Sequence, residues 1–293
     1  MKYYRQHDVD ERGTIRRLEY TSRDDQGITV CKYANVYLPF GYEAEPDRKY
    51  NILYCMHGGG GNPDAWLDSC LIKNSLDWAF AEKEAEPFIV VFPTYYMRGA
   101  KGDLASGKGF EQGNEQIRFF QKELRNDLIP AAERTFRTYA AGDVSPENLK
   151  ATRWHRAFTG FSMGGGTTWY AFMDNLDIIA NFAPLSGDCW AIELKGGQTK
   201  PAETVQAMIE AVKSYGFTGA DYRIFAATGT EDIAYPNLTP QVEEMKKFPA
   251  YFDFSEDLSA GNFHYLVEEG YEHAYHRVAE YLYNFFPYLF PTS

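Results

Sequence analysis

The chain has 293 residues, of which 44% are hydrophobic and 24% charged, so it is long enough to bury a substantial core. Its 41 acidic and 29 basic residues leave a formal net charge of −12, which repels a phosphate backbone; without a local basic patch, this excludes a nucleic-acid partner. No stretch approaches the length of a membrane span, and we expect no membrane partner.

The first third of the chain predicts an antiparallel hairpin followed by buried strands. Residues 14–22 (TIRRLEYTS) and 28–39 (ITVCKYANVYLP) alternate in polarity around the turn-forming RDDQG, which is typical of a hairpin at a sheet edge. Residues 50–61 (YNILYCMHGGGG) and 87–96 (PFIVVFPTYY) are compact β-branched and aromatic runs. Such runs indicate strands that are buried on both faces.

Helices and short strands then alternate to the end of the chain. Residues 114–136 predict a helix, with Pro130 causing a kink or beginning a new turn. The remaining predicted strands are residues 155–162, 178–186, 221–230 and 264–270, and the remaining predicted helices are residues 201–216 and 274–286. This alternation predicts an α/β fold with a mainly parallel sheet, helices on both faces and the hairpin as an N-terminal antiparallel edge. We expect one domain spanning residues 1–293.

Chemistry-bearing residues follow four of the predicted strands. His57, Ser162, Asp232 and His273 each stand just after a strand, and ligands gather at the carboxyl ends of parallel strands. The last three occur in the order Ser, Asp, His. The four cysteines are scattered without CxxC spacing, so neither a zinc site nor a disulfide-dense scaffold is indicated.

Ser162 lies in TGFSMGGG, between Gly160 and Gly164, where it is either a nucleophile or one hydroxyl of a glycine-rich turn. The strand-to-helix context favours the nucleophile. In such an elbow, side chains at the neighbouring positions would clash with the backbone, so those positions are glycine. A serine hydroxyl needs a base at neutral pH, and His273 is the candidate. Asp232 is the candidate acid that holds the imidazole.

Other histidines and acids are weaker candidates for these roles. His264 begins the last strand, at the wrong end of the sheet, and His276 lies one helical turn beyond His273. His57 precedes the glycine loop, which it either orders or simply packs under. Two other candidates for the acid, Asp253 and Asp257, do not directly follow a strand.

The motifs LYCMHGGGGNPDAW, TGFSMGGGTTWY and TGTEDIAY, together with a late glycine-led histidine segment, cover nearly the whole chain. Together they resemble the esterase D-like branch of the α/β-hydrolases, in particular the carbohydrate esterases that include feruloyl and acetylxylan esterases. The resemblance implies Ser162 as nucleophile, Asp232 as acid and His273 as base, acting without a metal or organic cofactor. It also implies an oxyanion hole formed by the backbone amides of Gly59 and Met163.

The segment after His273 departs from the family pattern. Many relatives continue with an aspartate and a nearby tryptophan, whereas this chain has GYEHAYHRV, with Ala274 and Tyr275. The departure leaves open a hydrolase-fold module that binds carbohydrate without catalysis.

The resemblance implies a serine carboxylesterase that removes feruloyl or related hydroxycinnamoyl groups from xylan or its oligosaccharides. Acetylxylan, S-formylglutathione and siderophore esters are alternative substrates of the same machinery. Such enzymes act outside the cell, beside companion glycoside hydrolase modules; the opening MKYYRQHDVDERG has no apolar signal core, so a trimmed signal peptide and a cytoplasmic chain are both left open.

Two long loops that follow strands are expected to overhang the nucleophile. They are residues 93–114 and 186–198. Tyr95 and Tyr96 in the first loop and Trp190 in the second are candidate contacts for a planar phenolic acyl group or a sugar. Each of these side chains has packing of its own loop as the alternative role.

Overall fold

The computed structural model describes residues 9–97 and 109–290, and an eight-stranded sheet runs through them in the order β1-β2-β4-β3-β5-β6-β7-β8. The strands are β1 (Thr14–Arg23), β2 (Thr29–Leu38), β3 (Ile52–Met56), β4 (Ile89–Phe92), β5 (Arg156–Phe161), β6 (Asn181–Leu185), β7 (Arg223–Glu231) and β8 (Phe263–Glu272). Strands β3 to β8 pair in parallel, while β2 pairs antiparallel with β1 and β4. The predicted α/β fold with an antiparallel edge is confirmed.

The hairpin and the central strands differ in burial, as their sequence patterns require. In β1 only Leu18, Tyr20 and Ser22 are buried, because one face of this edge strand meets solvent. Gly27 closes the hairpin turn at a φ of 77°, a conformation that favours glycine. Every residue of β3, β4, β5 and β6 is buried, which accounts for the continuous apolar runs of β3 and β4.

Ten α-helices are present in the described ranges, 9–97 and 109–290. They are α1 (Ala65–Cys70), α2 (Ile72–Ala81), α3 (Gly109–Glu123), α4 (Ile129–Thr135), α5 (Pro146–Ala151), α6 (Met163–Asp174), α7 (Gly196–Thr199), α8 (Pro201–Ser214), α9 (Tyr235–Met245) and α10 (Tyr275–Phe285). The sheet separates two apolar cores, one packed with α3, α6, α8 and α9, the other with α1, α2 and α10. None of these helices is long and apolar enough to cross a membrane.

The predicted 114–136 helix is continuous to Thr135, but its winding changes in the middle. Helix α3 ends at Glu123, a π-helical turn covers Leu124–Leu128, and α4 begins at Ile129. Pro130 then lies in the first turn of α4, directly after the π-helical turn, so that an α-helical turn begins beside the proline. The predicted new turn at the proline is therefore confirmed.

Candidate active site

Ser162 occupies a sharp elbow between β5 and α6. Its backbone has a φ of 59° and a ψ of −116°, a strained conformation for a residue with a side chain. A Cβ atom at Gly160 would lie 2.4 Å from the carbonyl oxygen of Gly164, and one at Gly164 would lie 2.6 Å from that of Met56. Both flanking glycines are thus required by close backbone contact, and the elbow presents the Ser162 hydroxyl at the carboxyl ends of the strands.

His273 connects Ser162 to Asp232 by two hydrogen bonds. His273 Nε2 lies 2.9 Å from Ser162 Oγ, and His273 Nδ1 lies 2.6 Å from Asp232 Oδ1. An ionised carboxylate only accepts hydrogen bonds, so Nδ1 carries the proton and the lone pair of the neutral ring's Nε2 faces the serine. The structure thus brings together the three side chains that the order Ser, Asp, His singled out.

Asp232 is held in its charged form. Burial alone would raise the pKa of this carboxyl, which is 3% exposed. The hydrogen bond from His273, the attraction of the imidazole when it is protonated, and the hydrogen bond from the Ala234 amide outweigh burial and lower the pKa. His273 packs against Phe161, with ring centroids 4.5 Å apart, and its side chain is 20% exposed. The imidazole is therefore fixed in orientation but open on the side from which a substrate or water arrives.

The rival histidines and acids lie elsewhere. His264 is buried near the start of β8, with Nδ1 2.9 Å from the carbonyl oxygen of Ser255. His276 is 55% exposed at its side chain and contacts Glu272. Asp257 is fully exposed and accepts hydrogen bonds from Ser259 within its own turn. Asp253 lines a separate surface cavity with Trp154 and Arg223.

The two backbone amides expected to form an oxyanion hole both adjoin the elbow in sequence or through a neighbour, since Met163 directly follows Ser162 and Gly59 directly follows Gly58. Met163 is the first residue of α6, where the N–H has no partner within the helix. The Gly59 N–H has no hydrogen-bond partner in the part of the chain that the structure describes. Its neighbour Gly58 lies against the elbow, because a Cβ there would be 3.5 Å from Ser162 Cβ.

An apolar cavity of about 190 Å³ opens between Ser162 and the loop after β6. Its lining is Ser162, Ser186, Gly187, Asp188, Trp190, Leu194, Lys195, Ile233, Ala234, Asn237 and His273. Trp190, a predicted substrate contact, forms part of this wall, and its Nε1 donates to Asp188 Oδ1 at 2.9 Å. Asp188 Oδ2 also accepts from the Gly197 amide at 3.0 Å, so this buried carboxylate connects the Trp190 indole to the start of α7.

Sequence reasoning missed Asp188 and Ile233. Each has a positional signal, since Asp188 is two residues before Trp190 and Ile233 directly follows Asp232. Ile233 is 69% exposed at the rim of the cavity, an unusual position for a large apolar side chain.

Tyr95 and Tyr96 require a correction, because the structure buries both under the glycine loop. Their rings are 1% and 2% exposed. The Tyr95 hydroxyl donates to the Gly58 carbonyl oxygen at 2.9 Å, and the Tyr96 hydroxyl accepts from the Gly60 amide at 2.8 Å. These contacts match the alternative role, packing of a loop, and neither ring face is free to stack on a substrate.

Comparison with known proteins identifies the family. A family model described as "Putative esterase" matches residues 31–285. The chain belongs to this esterase family. Endo-1,4-beta-xylanase Y of Acetivibrio thermocellus is 41% identical over 265 residues, which make up 90% of this chain and 22% of that protein. The endo-1,4-beta-xylanase/feruloyl esterase of Xylanibacter ruminicola is 29% identical over 220 residues, or 70% of this chain and 27% of that protein.

The esterase therefore spans about a quarter of the length of these curated relatives. Among solved structures, the feruloyl esterase module from Clostridium thermocellum matches with a TM-score of 0.81 and 38% identity, over 97% of this chain and 90% of that one. That structure is a serine-to-alanine mutant in complex with sinapinate. The predicted resemblance and the α/β-hydrolase fold are confirmed.

Proposed function

We propose that the chain is a serine feruloyl esterase, which cleaves hydroxycinnamoyl esters of xylan through an acyl-enzyme. The observation that carries the proposal is the hydrogen-bonded series Ser162, His273 and Asp232, which opens into an apolar cavity. A module that only binds carbohydrate has no use for a strained serine in contact with a base whose tautomer is set by a buried acid.

Acylation begins when Ser162 Oγ attacks the ester carbonyl carbon while His273 Nε2 takes the hydroxyl proton. The carbonyl oxygen becomes an oxyanion, and the amides of Gly59 and Met163 donate to it. The positive charge on the imidazolium is stabilised by Asp232. His273 then returns the proton to the sugar oxygen as its bond to the acyl carbon breaks, and the sugar leaves as an alcohol.

Deacylation repeats these steps with water. The exposed side of His273 admits a water molecule, which loses a proton to Nε2 as its oxygen attacks the acyl carbon. The second oxyanion forms at the same two amides and then collapses, breaking the bond to Ser162 Oγ. The proton on His273 returns to that oxygen, and the free acid leaves.

The cavity supports an aromatic acyl group rather than acetate. Its walls are largely apolar, with Trp190, Leu194 and the exposed Ile233 among the lining residues, and its volume of about 190 Å³ exceeds what an acetyl group fills. The 38% identical module that binds sinapinate supports the same substrate class. Because the curated relatives are named as xylanases, we further propose an extracellular enzyme that works beside glycoside hydrolase modules.

A substrate panel tests the proposal. Methyl ferulate, methyl sinapate, p-nitrophenyl acetate, acetylated xylan and S-formylglutathione are compared at equal enzyme concentration, with the Ser162→Ala variant as control. The hydroxycinnamates should have the highest kcat/KM, and the variant should be inactive on all substrates. Faster cleavage of acetylated xylan or S-formylglutathione would replace the feruloyl assignment, and no hydrolysis of any ester would favour a binding module.

A further inference from the structure

The glycine loop after β3 is held rigidly at Gly58, although its four consecutive glycines would leave a free chain highly mobile. The Gly58 N–H donates to the Tyr275 hydroxyl oxygen at 2.9 Å. The Gly58 carbonyl oxygen accepts from the Tyr95 hydroxyl at 2.9 Å, and His57 Nδ1 lies 2.7 Å from the same oxygen. Both peptide groups that flank the Gly58 Cα are thus fixed in orientation.

These contacts settle the tautomer of His57. A carbonyl oxygen can only accept, so Nδ1 carries the proton and Nε2 accepts from the Thr94 hydroxyl 2.8 Å away. Burial lowers the pKa of His57 to about 4, and the ring is therefore neutral at working pH. The Gly58 carbonyl oxygen also accepts from the Gly61 amide at 3.1 Å, which makes three donors on one acceptor.

Planarity of the peptide bond carries this restraint to Gly59. In a trans peptide the carbonyl oxygen of one residue and the N–H of the next point in opposite directions. Donors that fix the Gly58 carbonyl from one side therefore aim the Gly59 N–H to the other side. Gly58 itself lies against Ser162, so the aimed N–H belongs to the peptide next to the nucleophile.

Tyr275 lies in the segment where the sequence departs from the family pattern. Helix α10 begins at this residue, two positions after His273, and its ring packs on Phe161 and Trp66 with centroids 4.8 Å and 5.4 Å away. The segment that carries the base His273 thus also contacts the glycine loop, through the Tyr275 hydroxyl. Burial raises the pKa of Tyr275 and of Tyr95, so both hydroxyls keep their protons.

A buried ion pair between Lys32 and Glu123 is connected to the glycine loop through Thr94. Lys32 Nζ donates to the Thr94 carbonyl oxygen at 2.7 Å and lies 2.7 Å from a Glu123 carboxylate oxygen, with both side chains almost fully buried. The Thr94 hydroxyl contacts His57, as described above. The hydrogen bonds therefore continue from the interior of the sheet to the Gly58 carbonyl, which anchors the loop to the rigid core.

We propose that Tyr95 and Tyr275 are positioning residues of the oxyanion hole: they hold the two peptide groups around Gly58 so that the Gly59 N–H points at the developing oxyanion. The inference rests on the proposed esterase function. A donor of this kind acts in the transition state, where the oxygen carries negative charge, and acts little on the bound ester. Loss of either hydroxyl therefore lowers kcat and leaves KM nearly unchanged.

The test uses Tyr95→Phe, Tyr275→Phe and, as matched control, Tyr50→Phe. Tyr50 is equally buried, but its hydroxyl has no hydrogen-bond partner within the described residues, and it precedes β3 whereas the glycine loop follows the other end of that strand. Each protein is assayed on methyl ferulate and on its thionoester, in which sulfur replaces the carbonyl oxygen. A thiolate accepts hydrogen bonds poorly, so the thionoester draws little help from the oxyanion hole.

We expect kcat for methyl ferulate to fall by about tenfold or more in Tyr95→Phe and Tyr275→Phe, with KM within about twofold. The thionoester rate should fall by less than about threefold, so that the ester-to-thionoester ratio drops. Tyr50→Phe should match the wild type in both assays. If one variant does not fold, as judged by its thermal unfolding, the other decides the question.

An unchanged ester-to-thionoester ratio in a folded variant would overturn the proposal. If neither rate falls, the hydroxyl is dispensable; if both rates fall equally, the damage is to Ser162 or His273 rather than to the oxyanion hole. Failure of the proposed function is a separate outcome, since the wild-type enzyme would then not hydrolyse methyl ferulate at all.

Discussion

His273 Nε2 lies 2.9 Å from Ser162 Oγ, although 111 residues separate the two in the chain. The sheet explains the distance. Ser162 follows β5 and His273 follows β8, with β6 and β7 between them, and all four strands run parallel, so that their carboxyl ends face the same side. Asp232 follows β7 and reaches the imidazole from the far side of the ring.

Mutations of Ser162 and His273 should have non-additive effects on kcat. Ser162→Ala and His273→Ala are each expected to lower kcat for methyl ferulate by several orders of magnitude, because the base has no function without the nucleophile. The double variant should be at most a few-fold worse than either single variant. Steady-state kinetics on protein with an unchanged thermal unfolding midpoint checks this. Multiplicative losses would mean that the two residues act independently.

Asp232→Asn should also disable the enzyme, because an amide in this place can donate to Nδ1 and so stabilise the wrong tautomer. We expect a loss of about 10³- to 10⁴-fold in kcat. Asp253→Asn is the matched control, since Asp253 lines a different cavity. A large loss in the control with little loss in Asp232→Asn would reassign the acid.

Much of the site was predictable because strand ends are readable in the sequence. Ser162, Asp232 and His273 each follow a β-branched or aromatic run, and in a parallel sheet such positions share an edge. The glycine spacing around Ser162 is likewise a local signal, since it reflects backbone contacts within one strand-to-helix turn.

The loop residues were less predictable because their roles depend on contacts that are distant in sequence. Tyr95 and Tyr96 have the composition of a substrate platform, yet they are buried because the loop after β3 folds over them. Tyr275 contacts the Gly58 amide from 217 residues away. Asp188 has no motif of its own, and its importance follows only from its hydrogen bonds to the Trp190 indole and to the Gly197 amide of α7.

Trp190 should discriminate between acyl groups if it forms the wall of the acyl cavity. Trp190→Ala removes apolar and stacking contact worth about 1–3 kcal/mol for a planar hydroxycinnamoyl group, and much less for acetyl. The measurement is kcat/KM for methyl ferulate and p-nitrophenyl acetate in the wild type and the variant. Equal losses on both substrates would contradict the acyl-contact role and leave Trp190 as a support for the loop.

The buried His57 should make stability depend on pH. Burial lowers its pKa from 6.5 to about 4, so between these values the unfolded chain binds a proton that the folded chain does not. Acidification through this window therefore lowers the free energy of unfolding, by up to about 3 kcal/mol at pH 4. Above about pH 6.5 His57 no longer affects the free energy of unfolding.

His57→Asn is the matched variant, because its side-chain amide can still donate to the Gly58 carbonyl but does not titrate in this window. Urea unfolding from pH 7 to pH 4 should show the free energy of unfolding of the wild type decreasing more steeply than that of the variant. Burial also lowers the pKa of His155 and His264, but both histidines are present in both proteins and cancel in the difference. Parallel pH profiles for the two proteins would refute the assignment.

The most direct test of the central claim is stoichiometric labelling by a phosphonate carrying an aryl ester, which mimics the tetrahedral intermediate at a nucleophilic serine. Mass spectrometry of digested protein should place one phosphonyl group on the peptide that contains Ser162, and activity on methyl ferulate should fall in proportion to the labelled fraction. Ser162→Ala should remain unlabelled. Full activity of a completely labelled enzyme, or a label mapped to a different residue, would contradict the assignment of Ser162 as the nucleophile.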